Sequence, residues 1–148
     1  GVLEDPMVEP PEDIFYMTAD PKKAPNKPGY VEVGFDKGIP VSVDGQKMKP
    51  LELVIKLNEI AGKHGVGRVD MIENRLVGIK SREVYEVPAA AVLHAAHGEL
   101  RSAVLTRQFE RLARQLSIEY ADLVYDGHWF TPMREALVLN VERVPAAK

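Results

Sequence analysis

Hydrophobic positions recur with two different periods along this chain, and the changes of period divide it into elements. From Tyr30, "YVEVGFDKGIPVSVDGQKM" sets Val31, Val33 and Phe35 against Glu32, Gly34 and Asp36, then Ile39, Val41 and Val43 against Ser42 and Asp44. Alternation of this kind sends successive side chains to opposite faces of a strand. With turn formers at Asp36 to Gly38 and at Asp44–Gly45, it predicts a hairpin with a short third strand beyond Gly45. After Pro50 the period lengthens. Leu51, Leu53, Val54, Ile55, Leu57, Asn58, Ile60 and Ala61 recur at helical spacing until Gly62 and Gly65, which predicts a helix packing one broad apolar face. "VGRVDMIENR" and "LVGIKSREVYEV" return to β-branched alternation, with Glu73-Asn74-Arg75 as a polar turn and the chain reversing at Arg75 or slightly later.

Beyond Pro88, "AAAVLHAAHGELRSAVLTRQFERLARQL" is rich in strong helix formers. It predicts a helix broken near Gly98 or before Thr106, with Thr106 capping a second helix through Phe109, Leu112, Ala113 and Leu116. "TPMREALVLNVERV" predicts another, with Thr131 as cap, Pro132 at the first position and Glu135 completing a capping box. Hairpins separated and followed by helices predict an α+β fold, an antiparallel sheet built from hairpins with α-helices packed on it. Before all of this, residues 1–29 carry Pro6, Pro10, Pro11, Pro21, Pro25 and Pro28, a density that blocks ladders and helices alike. An extended arm over 1–29, lying on something, and one domain over 30–148 are the expected organisation. The opening "GVLEDP" starts mid-phrase, as a piece of a longer chain would.

Composition narrows the classes. At 148 residues the chain fits one domain, and 19 Lys and Arg against 22 Asp and Glu leave a net charge of −3 with the basic residues scattered, which argues against a nucleic-acid partner. No apolar run approaches the roughly twenty residues that span a bilayer. The absence of cysteine excludes disulfides and thiolate chemistry and suits a reducing cytoplasm. The helices after Pro88 carry more apolar residues than one short sheet can cover, among them Val104, Leu112, Val124, Trp129, Leu137, Leu139 and Val141. Such a surplus marks a subunit interface.

Most candidate chemistry has a plain structural reading. "GKHGVG" (Gly62 to Gly67) follows a helix and lacks the Lys-Ser/Thr ending of a nucleotide loop, so it reads as a helix-to-strand turn before it reads as a phosphate site. His94 and His97 stand three apart on a helix with no third ligand nearby, and no metal site is assigned. His64 and His128 have no triad partner, and Trp129 reads as a packing anchor.

One stretch resists. "ENRLVGIKSREVYE" interleaves Glu73, Arg75, Lys80, Arg82, Glu83 and Glu86 with Leu76, Val77, Ile79, Val84 and Tyr85, which have the character of core residues. Burying a charge without a partner is costly, so the stretch is either a solvated face laced with cross-strand ion pairs or a site. Glu73 closes one strand and Tyr85 lies twelve positions on, so a hairpin brings carboxylate and phenol to one pocket, a pair suited to an ammonium group.

The wording of the chain carries a resemblance. "GKHGVGRVDMIENRLVGIKSREVYEVP" closely resembles the signature region of the argininosuccinate synthase family, and "APNKPGYVEVGFDKGIPVSVDG" is similar to its preceding hairpin. Ala121 to Pro132 resemble its "AELVYxGxWxxP", with Asp122 for the usual Glu, and Val87 stands where Thr or Ala is usual. The resemblance implies a ligase that joins citrulline and aspartate at the expense of ATP, through a citrullyl-adenylate, giving argininosuccinate, AMP and pyrophosphate. It implies citrulline contacts at Glu73 and Tyr85, and a homotetramer in the cytoplasm. ATP with Mg as co-substrate is implied to be held mainly by a nucleotide-binding domain before Gly1, leaving this piece of the synthetase and multimerisation domain, cut at both ends, with no tightly bound cofactor, no assigned catalytic residue and no activity of its own. The alternative is a stand-alone amino-acid-binding or oligomerisation module without ligase activity.

Overall fold

The computed structural model describes residues 1–142, with side chains as far as Val138. Two compact units divide the chain, Gly1–Ala96 and His97–Lys148.

In the first unit, β1 (Val33–Asp36), β2 (Ile39–Val43) and β3 (Gln46–Lys47) form an antiparallel sheet in that order, so the expected hairpin and its short third strand are both present. The β1–β2 register slips between Gly34 and Phe35, where Pro40 faces Phe35 and has no N–H to give the ladder. Helix α1 (Pro50–Lys63) packs on β2; Pro50 occupies its first turn and the Glu52 carboxylate accepts the Lys49 backbone N–H at 3.1 Å. Its buried stripe is Leu53, Leu57 and Ala61. Leu53 and Leu57 meet Val43 and Ala89 in the core, and Val31, Val33, Met48, Ile60, Val92 and Leu93 pack around them. The apolar face is narrower than its spacing predicts, since Leu51, Val54 and Ile55 are exposed. A four-residue repeat touching one small sheet covers a stripe of the helix and no more.

Strands β4 (Arg68–Asn74) and β5 (Lys80–Glu86) pair antiparallel from Arg68↔Glu86 to Asn74↔Lys80 as a separate two-stranded sheet. The α+β class therefore holds, with its strands divided between two small antiparallel sheets. The reversal comes late. Glu73 and Asn74 stay in β4, and the turn closes with the Arg75 N–H donating to the Ile79 carbonyl at 3.0 Å and the Gly78 N–H to the Arg75 carbonyl at 2.8 Å. Leu76, Val77 and Ile79, which resemble core residues in the sequence, stand on this tip at 68%, 76% and 63% exposure.

Helix α2 (Pro88–Val104) starts in the first unit, where Asn58 Oδ1 accepts the Ala89 N–H at 2.9 Å and satisfies a donor that the helix cannot. Of the two expected break points it passes Gly98 and stops at the other, before Thr106.

In the second unit, α3 (Arg107–Tyr125) begins at Thr106, whose hydroxyl oxygen accepts the Phe109 N–H. Helix α4 (Pro132–Glu142) has a long cap bond of 3.5 Å from the Arg134 N–H to the Thr131 hydroxyl oxygen. Arg134 holds the third helical position, where a capping box needs its acid, and Glu135 falls one residue too late to complete one. Helices α3 and α4 pack together and bury Leu123 and Leu137. Trp129, expected as a packing anchor, is 43% exposed, with Tyr120 edge to face at 6.2 Å and the Arg134 guanidinium 5.3 Å from its ring centre. Leu112, Val124 and Phe130 are exposed, and the side chains of Leu139 and Val141 lie outside the described residues.

Candidate functional site

The period of two along β4 and β5 divides the charge of this hairpin between its faces. Arg68, Asp70, Ile72 and Asn74 share one face with Glu86, Val84, Arg82 and Lys80; Val69, Met71 and Glu73 share the other with Tyr85, Glu83 and Ser81.

The first face holds the proline-rich arm. Arg82 grips Asp70 with two nitrogens at 2.8 and 2.7 Å and donates to the carbonyls of Asp5 and Val8, both at 2.8 Å. Arg68 makes a fork to Glu12 at 2.8 and 2.6 Å, donates to Thr18 Oγ1 and to the Thr18 carbonyl, and lies 3.8 Å over the Phe15 ring. Glu86 closes the arrangement. Its carboxylate accepts the backbone N–H groups of Tyr16, Met17 and Thr18 and the Thr18 hydroxyl. Burial pushes the Glu86 carboxyl up, but those bonds outweigh it and hold it below the usual range. The hydrogen bond from Arg82 lowers Asp70 in the same way. A cleft of about 630 Å³ opens beside the arm, lined by Glu12, Asp20, Lys22, Arg68 and Asp70. Arg68 already holds Glu12 there, and the cleft is on the opposite face from Glu73 and Tyr85.

The second face carries the predicted pair. The Tyr85 hydroxyl donates to Glu73 Oε1, a diagonal contact that passes the Met71↔Glu83 rung. That bond pushes the Tyr85 pKa up to about 12, so the phenol keeps its proton at neutral pH and goes on donating. The Glu73 side chain is only 13% exposed, unusual for a carboxylate on a two-stranded ribbon. Arg75, in the turn, donates through Nε to Ser81 Oγ at 2.8 Å and through Nη2 to Glu83, while the same Nη2 stands 3.9 Å from Glu73 Oε2. Hydrogen bonds from Ser81 and then Arg75 hold the Glu83 carboxyl below its usual range. The Glu73 carboxylate is thus held by a phenolic donor on one oxygen and faced by the Arg75 guanidinium at the other.

The remaining candidates divide plainly. Gly62 to Gly67 form the turn between α1 and β4: the His64 and Val66 N–H groups both donate to the Ala61 carbonyl. A Cβ on Gly62 would lie 2.2 Å from the Met17 carbonyl oxygen, and one on Gly67, at φ +103°, 2.5 Å from Pro88 N. Neighbouring backbone fills the space that a phosphate cradle would need. Among the described residues no group of three His, Cys, Asp or Glu gathers around a common point, and no helix is long and apolar enough to cross a membrane. The arm-holding roles of Arg68, Arg82 and Glu86 were not legible in the sequence. Their only signal was polar side chains at even spacing on the strand face away from Tyr85, opposite an arm in want of a surface.

Comparison with known proteins is consistent throughout. Residues 1–145 match the family model described as the arginosuccinate synthase C-terminal domain. The chain is 55% identical over 143 residues to the argininosuccinate synthase of Carboxydothermus hydrogenoformans, covering 97% of the chain and 36% of that relative. It is 58% identical over 137 residues to that of Pelodictyon phaeoclathratiforme, covering 93% and 34%, and 56% identical over 142 residues to that of Rubrobacter xylanophilus, covering 96% and 35%. The chain thus spans about a third of the length of the curated relatives it matches.

Proposed function

Because the chain belongs to the argininosuccinate synthase family, within its C-terminal domain, we propose that it supplies the citrulline contacts of an ATP-dependent ligase joining citrulline to aspartate. Glu73 is the acceptor for the α-ammonium of citrulline, and Tyr85 fixes the Glu73 carboxylate in the orientation that receives it. The observation that carries this reading is the Tyr85 hydroxyl donating to the shielded carboxylate of Glu73, on the hairpin face opposite Arg68, Arg82 and Glu86. A fixed carboxylate holds the amino-acid end still, so that the ureido end is presented for activation with little orientational freedom left to lose. Glu73→Gln in the full-length enzyme keeps the side-chain shape and removes the charge. It is expected to raise the citrulline KM by at least about tenfold, with the ATP KM nearly unchanged. A citrulline KM equal to that of the parent would remove Glu73 from the site.

ATP and its Mg ion are assigned to the part of the enzyme outside this chain, and no residue here is given a role toward them. Accordingly the chain alone is expected to release no pyrophosphate from citrulline, aspartate and ATP. A cytoplasmic homotetramer completes the reading. Its support is the exposed apolar side chains of the second unit, among them Phe130 at 96% with Tyr125 and Met133. Sedimentation equilibrium that found a monomer at micromolar concentration would count against it.

A further inference from the structure

We propose that the tip of the β4–β5 hairpin is a docking surface for the part of the same polypeptide that lies ahead of Gly1 in a full-length protein of this family. The surface consists of Leu76, Val77 and Ile79 and is independent of whether Glu73 and Tyr85 bind a substrate.

The tip is apolar where a solvated turn is polar. Turns in water are ordinarily built from Gly, Asn, Asp, Ser and Pro, whereas Leu76, Val77 and Ile79 surround Gly78 here and all three are exposed. The backbone beneath them is closed by the Arg75 N–H donating to the Ile79 carbonyl and the Gly78 N–H to the Arg75 carbonyl, so the side chains are presented on a fixed loop. Ile72 extends the apolar surface down the strand. It is half exposed and stands two residues before the last rung, Asn74↔Lys80, or about 7 Å along β4.

The start of the chain lies beside this surface. A cleft of about 580 Å³ is lined by Gly1, Val2 and Leu3 together with Ile72, Lys80 and Arg82. The first residues are fixed there: the Glu4 N–H donates to the Gly1 carbonyl at 3.1 Å, and Arg82 donates to the carbonyls of Asp5 and Val8, both at 2.8 Å. The chain matches a C-terminal domain and spans about a third of the length of its relatives, so most of the rest of such a protein enters at Gly1, inside this cleft and next to the last rungs of the hairpin. A second copy fits the tip less well. A standard interface buries ~800 Å² on each partner, more than three side chains on one turn supply, whereas a segment tethered at Gly1 meets the tip at high effective concentration and needs far less area.

The test uses the full-length protein with Val77→p-benzoylphenylalanine, a photo-crosslinking side chain at a position that this chain leaves open. After irradiation the product is expected to keep the monomer mass on a denaturing gel, and mass spectrometry of its digest is expected to join the Val77 peptide to residues ahead of Gly1. A band of doubled mass would show that a second copy covers the tip, and crosslinks confined to residues 1–148, or none at all, would show that the tip is left to solvent; each result overturns the proposal. The double variant Leu76→Ser, Val77→Ser gives an independent reading. On a solvated tip the two changes are close to silent, but on a docked one they are expected to lower the thermal midpoint of the full-length protein by about 3 °C or more. An unchanged midpoint overturns the proposal as well. The Glu73→Gln kinetics test the citrulline reading alone, so the failure of one is distinguishable from the failure of the other.

Discussion

Glu86 holds Thr18 twice, its Oε1 accepting the Thr18 backbone N–H at 2.7 Å and the Thr18 hydroxyl at 2.7 Å. Thr18 is the buried polar residue of the arm, so a carboxylate at the end of β5 fixes a segment nearly seventy residues earlier in the chain. Glu86→Ala should therefore release the arm and leave three backbone donors to water, at a cost of about 2 kcal/mol. Hydrogen exchange checks it: the amides of Tyr16, Met17 and Thr18 should lose protection while those of α1 keep theirs. Equal protection in the variant would mean that Arg68 and Arg82 hold the arm without Glu86.

The same clamp predicts a pH dependence with a definite sign. Glu86, Asp70 and Glu12 all have carboxyls held below their usual range, so their contribution is complete above the unfolded values of about 3.9 to 4.3. It is lost as pH falls through the lower folded values, because the unfolded chain then binds more protons. Urea midpoints should be level from about pH 7 to 5 and drop below about pH 4. In Glu86→Gln the drop should be smaller, and an identical drop would show that Glu86 is not among the groups responsible.

Tyr85 offers a spectroscopic reading of its contact with Glu73. Its phenol should titrate at about 12, displaced by the Glu73 hydrogen bond, whereas Glu73→Gln should return it toward the ordinary value of about 10. The difference in tyrosinate absorbance between each protein and its Tyr85→Phe counterpart isolates this residue. A Tyr85 that titrates alike with and without the Glu73 charge would show that the two do not meet in solution.

Two glycines should respond oppositely to alanine. At Gly67 the backbone is at φ +103° and a Cβ would overlap Pro88, so Gly67→Ala is expected to destabilise by about 2 kcal/mol or more. At Gly98, inside α2, a Cβ meets nothing within 4 Å, and Gly98→Ala should stabilise by about 0.5–1 kcal/mol. Thermal unfolding of the two variants decides, and a stabilised Gly67→Ala would contradict the turn geometry.

By itself the sequence determined what short-range physics controls. Alternation around Asp36–Gly38 and Asp44–Gly45 specified β1 to β3, Pro50 specified the start of α1, Thr106 the start of α3, and the carboxylate and phenol of Glu73 and Tyr85 could be named as a pair, since strand period and turn chemistry are local. The tertiary structure decided what depends on partners remote in the chain. Whether Leu51, Leu76 and Val77 are buried turns on what lies over them, and nothing in the described residues of the first unit buries them. Whether the charge of Glu73 to Glu86 is a wet face or a site had no local answer either. The packed chain divides it: one face binds the arm through Arg68, Arg82 and Glu86, while Glu73, Tyr85, Glu83 and Arg75 are joined on the other side of the hairpin. A strand's alternation says that two faces exist; only the chain packed against one of them says which charges are spent on the fold.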